Sequence, residues 1–205
     1  MKEIKDIPKT ILIGGGGHAV SLLENFRNEI AGYLALAPSN KLLLKWYGND
    51  DYATDLIKDG FRFHVAYVYS GEPDMHARKK IIGFYEKNNA PFSTFISPSA
   101  FISPNSSVEE GSVVMPGAIL NKATVMRHVV VNTGAILEHD SIIGNNSFIG
   151  PGAILGGFVN IGDDCFIGLG AKIRNGVKIS SGVTIGMGSV VTKNVDKPGV
   201  YYGII

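Results

Sequence analysis

An apolar residue returns at nearly every sixth position over the second half of this 205-residue chain. The recurring residues are Ile96, Ile102, Val108, Val114, Leu120, Met126, Val131, Leu137, Ile143, Ile149, Leu155, Ile161, Ile167, Ile173, Ile179, Ile185 and Val191. Only the interval from Met126 to Val131 has five residues. A period held this long is typical of a repeat architecture, in which each coil of chain buries its apolar residues against the next coil.

Other residue types keep a fixed phase within the same repeat. Four residues after the apolar position comes a small or β-branched residue, as in Ala118, Thr124, Ala135, Ser141, Ser147, Ala153, Cys165, Ala171 and Ser189. Two residues after the apolar position come prolines, as in Pro98, Pro104, Pro116 and Pro151. Three residues after it come glycines, as in Gly111, Gly117, Gly134, Gly152, Gly170, Gly176, Gly182 and Gly188. Because Pro fixes φ and Gly permits positive φ, these positions mark corners. Short strands joined by regular corners predict a triangular parallel β-helix.

Composition limits the classes of partner. The net charge of +1 argues against nucleic acid as the main partner. No apolar run reaches transmembrane length, and the charged segment Met1–Lys9 lacks a following signal-peptide core, so we expect a soluble cytoplasmic protein without a membrane partner. The single cysteine, Cys165, falls in the inward column of small residues, and we interpret it as structural.

The first part of the chain has α/β signals instead of hexads. Thr10–Ile13 predicts a buried strand, and a glycine-rich turn then leads into an apolar-periodic helix that includes Leu22 and Phe26. A second strand is predicted within 63–69 and a second helix over 75–87. We therefore predict a small Rossmann-like βαβ domain over residues 1–92 and an all-β domain over 93–205.

The glycine-rich turn has two interpretations. Gly14, Gly16 and Ala19 match the pattern G-x-G-x-x-A, in which backbone N–H groups at a helix start bind a phosphate. The acidic residue that holds the ribose of a nicotinamide dinucleotide is missing from the uncharged segment 33–37, and about eighty residues are too few for a double-mononucleotide fold. The turn therefore either approaches a phosphate or simply reverses the chain tightly.

The tripeptide Glu138-His139-Asp140 is the strongest candidate for chemistry. At a corner the imidazole points outward, where the core does not need it, and Asp140 can accept from one ring nitrogen while the other acts as a general base. Eighteen residues later, on the next coil, comes Gly157, whose N–H would lie about one strand spacing of 4.8 Å away. A base beside a bare backbone donor suits acyl transfer. A solvated surface pair is the alternative.

A basic stretch follows this candidate site. Between residues 172 and 197 the sequence has five basic residues against the single acid Asp196. The basic residues are Lys172, Arg174, Lys178, Lys193 and Lys197. They are placed to meet the phosphates of a ligand that runs along the β-helix. A solvated basic edge is the alternative interpretation.

The chain resembles the hexapeptide-repeat sugar acetyltransferases of the sialic-acid O-acetyltransferase and bacillosamine-pathway N-acetyltransferase type. The resemblance rests on the segments 131–135, 137–140 and 156–168, and on Gly17-His18 after the first strand. It implies a left-handed β-helix, a homotrimer, acetyl-CoA as cosubstrate and no metal.

The same resemblance assigns roles to individual residues. In the β-helix it implies that His139 is the general base, that Asp140 orients it, that the Gly157 N–H meets the thioester carbonyl, and that Asn132 lies near the acceptor. In the first domain it implies that the turn with Gly14, Gly16, Gly17 and His18 lies near the sugar nucleotide. Coenzyme A is expected to contact Gly157, Lys172, Arg174, Lys178 and Lys193.

Three departures from the family pattern bear on the substrates. Ala35-Leu36 stands where members that bind UDP-sugars commonly carry an acidic pair, so the nucleotide is either held differently or is not UDP. Phe148 stands where some members have a second histidine. The sequence ends at Ile205 where the family usually continues through a tail, so we expect part of the coenzyme A contact set to differ.

We therefore expect an acetyl-CoA-dependent N-acetyltransferase acting on a nucleotide-linked amino sugar in bacterial glycan biosynthesis. Acetylation of a sugar hydroxyl, as on a sialic-acid-like acceptor, and a non-catalytic β-helix scaffold are the alternatives. A zinc enzyme of the same fold needs three histidine ligands, whereas the predicted β-helix contains only His128, which we interpret as a surface residue, and His139.

Overall fold

The computed structural model describes residues 9–70, 72–73 and 75–205, which form two compact units. Unit 1 comprises 9–67 with Ile81–Ser93, and unit 2 comprises the described part of 68–80 with Thr94–Ile205. The segment 68–80 thus groups with the β-helical unit, and the division into 1–92 and 93–205 stays a prediction. Residues 1–8 of the charged segment Met1–Lys9 lie outside the described residues.

Unit 1 is built on a parallel four-stranded sheet of order β3-β2-β1-β4. The strands are β1 (Thr10–Ile13), β2 (Ile30–Leu34), β3 (Lys45–Trp46) and β4 (Arg62–Val65), and the helices are α1 (Gly17–Phe26) and α2 (Ala53–Lys58). A third helix, α3 (Met75–Lys87), belongs to unit 1 only from Ile81 onward. Short 3-10 helices span Arg27–Glu29 and Asp50–Tyr52. The predicted first strand and both predicted helices are confirmed, whereas the second predicted strand ends at Val65 rather than Tyr69.

The central position of β1 explains its wholly apolar run after Thr10. It pairs with β2 on one side and β4 on the other, and all four of its residues are buried. The buried face of α1 consists of Ala19, Leu22, Leu23 and Phe26. Because strand order reverses beside β1, the carboxyl ends of β1 and β4 form the crevice where open α/β sheets bind ligands.

In unit 2, the described chain forms a left-handed parallel β-helix of three sheets. Sheet I contains Phe95–Ile96, Val113–Val114, Val130–Val131, Phe148–Ile149, Phe166–Ile167, Val183–Ile185 and Gly199–Tyr201. Sheet II contains Phe101–Ile102, Ile119–Leu120, Ile136–Leu137, Ile154–Leu155, Lys172–Ile173 and Val190–Val191. Sheet III contains Ser107–Val108, Thr124–Val125, Ile142–Ile143, Asn160–Ile161 and Lys178–Ile179. A short antiparallel pair, β5 (Tyr69–Ser70) and β6 (Glu72–Pro73), precedes the β-helix.

The predicted core columns are confirmed, with one correction of phase. Val125, rather than Met126, is the buried inward residue of its strand and pairs beside Ile143. The short interval is therefore from Leu120 to Val125. The reason is a corner of only three residues, 121–123, in which Lys122 adopts a φ of +56°. In consequence Ala123, and not Thr124, is the buried small residue of this corner.

The outer face of sheet I is buried as well. Phe148 stacks on Phe166 with ring centroids 4.8 Å apart, so the residue in place of a family histidine serves packing. At the corners between sheets III and I, buried Arg78 donates to the backbone oxygen of His128 and to Oδ1 of Asn146. The expectation that His128 lies on the surface is wrong. His128 is only 3% exposed, and its backbone oxygen accepts the hydrogen bond from buried Arg78.

Candidate active site

His139 lies at the corner between sheets II and III, where its side chain is 47% exposed. Its Nδ1 is 3.1 Å from Oδ2 of Asp140, which follows it at a φ of +60°. The other oxygen of Asp140 is 2.8 Å from Nζ of Lys122 on the preceding coil. The hydrogen bond from Lys122, and then the one from His139, lowers the pKa of Asp140 below its ordinary value. Asp140 is therefore an ionised carboxylate that holds Nδ1 and leaves Nε2 directed elsewhere.

Gly157 lies directly beside the imidazole, as the coil length predicts. A Cβ placed on Gly157 would come within 2.6 Å of Nε2 of His139, so only glycine leaves room for the ring in this position. The imidazole covers the residue, and Gly157 is buried rather than open as expected. Among the described residues its N–H has no hydrogen-bond acceptor. The corner therefore combines a positioned imidazole with an uncommitted backbone donor.

Phe158, the residue after Gly157, also lies beside His139. Its ring meets the imidazole of His139 nearly perpendicularly, with centroids 5.1 Å apart and an interplanar angle of 89°. The residue is 60% exposed and has a φ of +60°. Bulky side chains rarely adopt this backbone conformation. No sequence pattern singles it out, because an apolar residue next to a glycine pair resembles ordinary repeat filling.

The structure does not bring Asn132 to His139 within one chain. Asn132 belongs to the corner between sheets I and II, and the strand Ile136–Leu137 separates the two residues. Its Oδ1 accepts a hydrogen bond from the N–H of Thr133 at 2.7 Å. A joint role of Asn132 and His139 on one acceptor therefore requires residues of two chains.

Three of the four basic residues predicted to contact coenzyme A follow the site along one side of the β-helix. Lys172 pairs with Ile154 on sheet II, Arg174 starts the next corner, and Lys193 lies at the corner after that. Lys178 lies on sheet III, around the corner. All four are exposed, and within the described part of the chain none forms an ion pair.

In unit 1, the glycine-rich turn separates two kinds of glycine. Gly14 has a φ of +107° and packs against the backbone of Tyr67, so the turn itself requires it. Gly16 and Gly17 are exposed, have no positive φ, and a Cβ on either would meet nothing within 4 Å. Gly16 caps α1 without any side-chain hydrogen bond, and His18 lies in its first turn. Neither packing nor backbone conformation therefore requires glycine at positions 16 and 17.

An aromatic cavity of about 450 Å³ lies at the carboxyl ends of β2 and β3. It is lined by Leu36, Trp46, Tyr47, Gly48, Asn49 and Tyr52. Trp46 is fixed by donating from Nε1 to the backbone oxygen of Ala35 at 3.0 Å. Leu36 stands where UDP-sugar-binding members carry an acid, so this edge of the sheet offers rings and apolar groups instead. Sequence reasoning missed the cavity because β3 has only two residues.

In the described ranges, no three or more His, Cys, Asp or Glu side chains are grouped as metal ligands. None of the helices described here combines the length and apolar character needed to cross a bilayer.

Two family models match the hexad-repeat part of the chain. Residues 90–167 match the family described as GMPPB C-terminal domain, and residues 158–193 match the hexapeptide repeat of succinyl-transferase. Comparison with curated proteins gives no significant match. Among solved structures, PerB from Caulobacter crescentus, in complex with CoA and GDP-perosamine, is 30% identical with a TM-score of 0.88, over 96% of this chain and 95% of PerB.

The chain belongs to the hexapeptide-repeat sugar acetyltransferases. A second member is the acetyltransferase domain of PglB from Neisseria gonorrhoeae, which has been solved with acetyl coenzyme A. It is 27% identical with a TM-score of 0.85, over 95% of this chain and 96% of that domain. WeeI from Acinetobacter baumannii, at 22% identity and a TM-score of 0.78 over 95% of this chain and 96% of WeeI, shows the shared fold.

In this chain, some residues around His139 were predicted from the sequence and others are revealed only by the structure. His139, Asp140 and Gly157 follow from the hexad spacing. Lys122 and Phe158 do not. The short corner 121–123 shifts the position of Lys122 by one residue, and the positive φ of Phe158, whose ring lies against His139, has no signal in the repeat.

Proposed function

We propose that this chain transfers the acetyl group of acetyl-CoA directly to the amino group of a nucleotide-linked amino sugar in bacterial glycan biosynthesis. The observation that carries the proposal is the match to PerB, a perosamine N-acetyltransferase, along nearly the whole of both chains. The structure of the PglB domain with acetyl coenzyme A supports the choice of donor.

The corner geometry supports a single-step mechanism. The acceptor amine attacks the thioester carbonyl, His139 takes the amine proton at Nε2, and the carbonyl oxygen develops negative charge that the Gly157 N–H stabilises. Collapse of the tetrahedral intermediate breaks the C–S bond, and coenzyme A leaves as its thiol after it receives the proton. Asp140 keeps the imidazole in the tautomer that leaves Nε2 unprotonated at the start of the reaction.

An acetylated enzyme is not part of this mechanism. Cys165 is the only cysteine of the chain, and it is buried in the core. Burial raises the pKa of its thiol to about 11, so little thiolate forms near neutral pH. Direct transfer follows, since the acceptor amine is itself the nucleophile.

The exposed basic residues give the donor a place along the β-helix. Lys172 and Arg174 lie on the coil after Gly157, Lys193 lies on the coil after that, and none of the three has an ion-pair partner in the described chain. Phosphates of coenzyme A are the anions that suit such a row. Lys178, on sheet III, contributes from the adjoining face. With the phosphates there, the pantetheine arm leads the thioester toward Gly157.

Unit 1 supplies the groups suited to the nucleotide of the acceptor. The exposed glycines Gly16 and Gly17 beside the half-buried His18 at the start of α1 suit a phosphate, and the cavity with Trp46 and Tyr52 suits stacking of a base. Aromatic stacking replaces the acidic pair that the family uses after the second strand. The nucleotide is therefore held without a carboxylate at residues 35 and 36.

We further propose a homotrimer in the cytoplasm. Asn132 and His139 lie at different corners of one β-helix, so a shared acceptor site needs neighbouring chains packed side by side. Acetyl-CoA and nucleotide sugars are both cytoplasmic metabolites, which places the reaction there.

The first experiment is thermal unfolding with acetyl-CoA and then with GDP-, UDP-, dTDP- and CMP-linked amino sugars. A ligand that binds the folded state raises the melting temperature. Release of coenzyme A thiol, together with mass and NMR spectra of the product, then identifies the acetylated atom. Stabilisation by acetyl-CoA and an amide product support the proposal. An ester product would favour O-acetylation, and no response to millimolar acetyl-CoA would favour the scaffold.

A further inference from the structure

Seven described residues other than glycine have a positive φ: Asn89, Lys122, His128, Asp140, Asn146, Phe158 and Asp164. Phe158 is the one apolar side chain in this set. Asn and Asp tolerate the left-handed region because their short side chains bond locally, whereas a large aromatic residue is strained there. The corresponding corner one coil later has Gly176, which adopts this backbone without strain.

Core packing does not account for a phenylalanine at this corner. Phe158 is 60% exposed and is not part of the buried β-helix core. The one ring contact that it makes within the described chain is with His139, at 5.1 Å and close to a right angle. Strain that persists without compensating burial is a feature of functional positions.

The contacts around the imidazole give Phe158 a definite task. Asp140 fixes Nδ1 of His139, and Gly157 lies against the ring at Nε2 and Cε1. A hydrogen bond at Nδ1 still allows the ring to swing about its own side-chain bonds. The perpendicular ring of Phe158 blocks this rotation of the imidazole.

We propose that Phe158 is a positioning residue for the transfer reaction, holding the His139 imidazole at the angle from which Nε2 meets the acceptor amine. This inference rests on the proposed function. It assigns the strained backbone of Phe158 to catalysis, because a rotating imidazole would present Nε2 to the amine only part of the time.

The test is a double-mutant cycle with His139→Ala. Phe158→Asn places a side chain that accepts positive φ at this corner. We expect kcat to fall about tenfold, which is less than the loss of about 10² or more that removal of the general base causes, while KM for acetyl-CoA stays within about twofold. In the His139→Ala background the same change should leave the residual rate within about twofold. Phe158→Tyr, which keeps the ring, should retain most activity.

Stability separates this role from a structural one. Relief of the strained backbone should leave the melting temperature of Phe158→Asn unchanged or raise it by up to about 4 °C. A fall of more than about 4 °C in parallel with kcat would assign Phe158 to structure. A tenfold loss in both backgrounds would show action independent of His139 and overturn the proposal. Dissociation of the oligomer, detected by light scattering, would make Phe158 an interface residue instead.

One measurement does not depend on turnover. In protein labelled at histidine nitrogen and carbon, Phe158→Asn should shift the ring resonances of His139, because the ring current of Phe158 disappears and the imidazole gains freedom. Unchanged resonances would contradict the proposal even in an active enzyme. Absence of transfer by the wild-type chain would instead count against the proposed function. The resonances would still test the contact between the rings of Phe158 and His139.

Discussion

Nζ of Lys122 lies 2.8 Å from Oδ1 of Asp140, although eighteen residues separate them in the chain. The same carboxylate holds Nδ1 of His139 through its other oxygen, at 3.1 Å. Lys122 thus extends the histidine-acid pair into a row of three groups. Lys122 adopts a φ of +56° at the short corner, a backbone conformation that is strained for residues other than glycine.

We expect Lys122→Asn, which accepts this backbone, to lower kcat about twofold to fivefold, the scale of an exposed ion pair. Removal of the ammonium lets the pKa of Asp140 rise toward its ordinary value. Protonation of Asp140 then begins at higher pH, so the acid limb of the kcat/KM profile should move upward in pH. Lys58→Gln, which breaks the exposed pair with Asp55, is the control and should leave the profile in place.

His139→Ala should lower kcat by about 10² or more, because it removes the general base. Asp140→Asn should lower it less than His139→Ala, since an amide still reaches Nδ1 but favours the wrong tautomer. Steady-state rates with acetyl-CoA and the acceptor found by thermal unfolding provide the measurement. A loss of less than threefold for His139→Ala would rule out the assignment.

Gly157→Ala should inactivate the enzyme without unfolding it. The new Cβ would lie 2.6 Å from Nε2 of His139, so the imidazole must move away. We expect kcat to fall by about 10², as for a displaced catalytic group, with little change in far-UV circular dichroism. Gly83→Ala in α3 is the matched control, because a Cβ there meets nothing within 4 Å and should stabilise the helix by about 0.5–1 kcal/mol. Equal activity of the two variants would contradict the site.

The trimer proposal predicts a mass of about 66 kDa by light scattering, three times the 21.9 kDa of one chain. It also predicts complementation. Asn132→Ala and His139→Ala homotrimers should both be impaired, whereas mixed trimers should regain part of the activity, because some sites then combine an intact Asn132 with an intact His139. A monomeric mass, or mixtures no more active than their components, would contradict the arrangement.

Cys165 predicts an alkaline effect on stability. Burial raises the pKa of its thiol from 9.0 to about 11. The folded state therefore keeps its proton between these values while the unfolded state loses it, and the free energy of unfolding falls as pH rises from about 9 toward 11. In Cys165→Ala, which matches Ala153 and Ala171 in the same column, the fall in melting temperature over this range should be smaller. An identical fall in both proteins would show that other groups cause it.

The hexad periodicity of the sequence predicts much of this architecture. Ile, Val and Leu at hexad spacing specify inward columns, and glycines at one phase specify corners, because both depend on neighbours within a few residues. The helices Gly17–Phe26 and Met75–Lys87 were predictable for the same reason. The prediction went wrong at Met126, where Val125 is equally apolar and the pattern alone does not choose between them.

The sequence by itself determined the repeat, the outward histidine with its acid, and the glycine that must lie beside it on the next coil. Only the tertiary structure decided the rest of the site. Leu120 pairs with Leu137 on the next coil, and the three-residue corner 121–123 that follows Leu120 sets Lys122 against Asp140. Strand pairing also sets the ring of Phe158 against His139 and brings Leu36 to Trp46. These contacts depend on corner geometry and on strand register, which fix distances between residues that no local pattern relates.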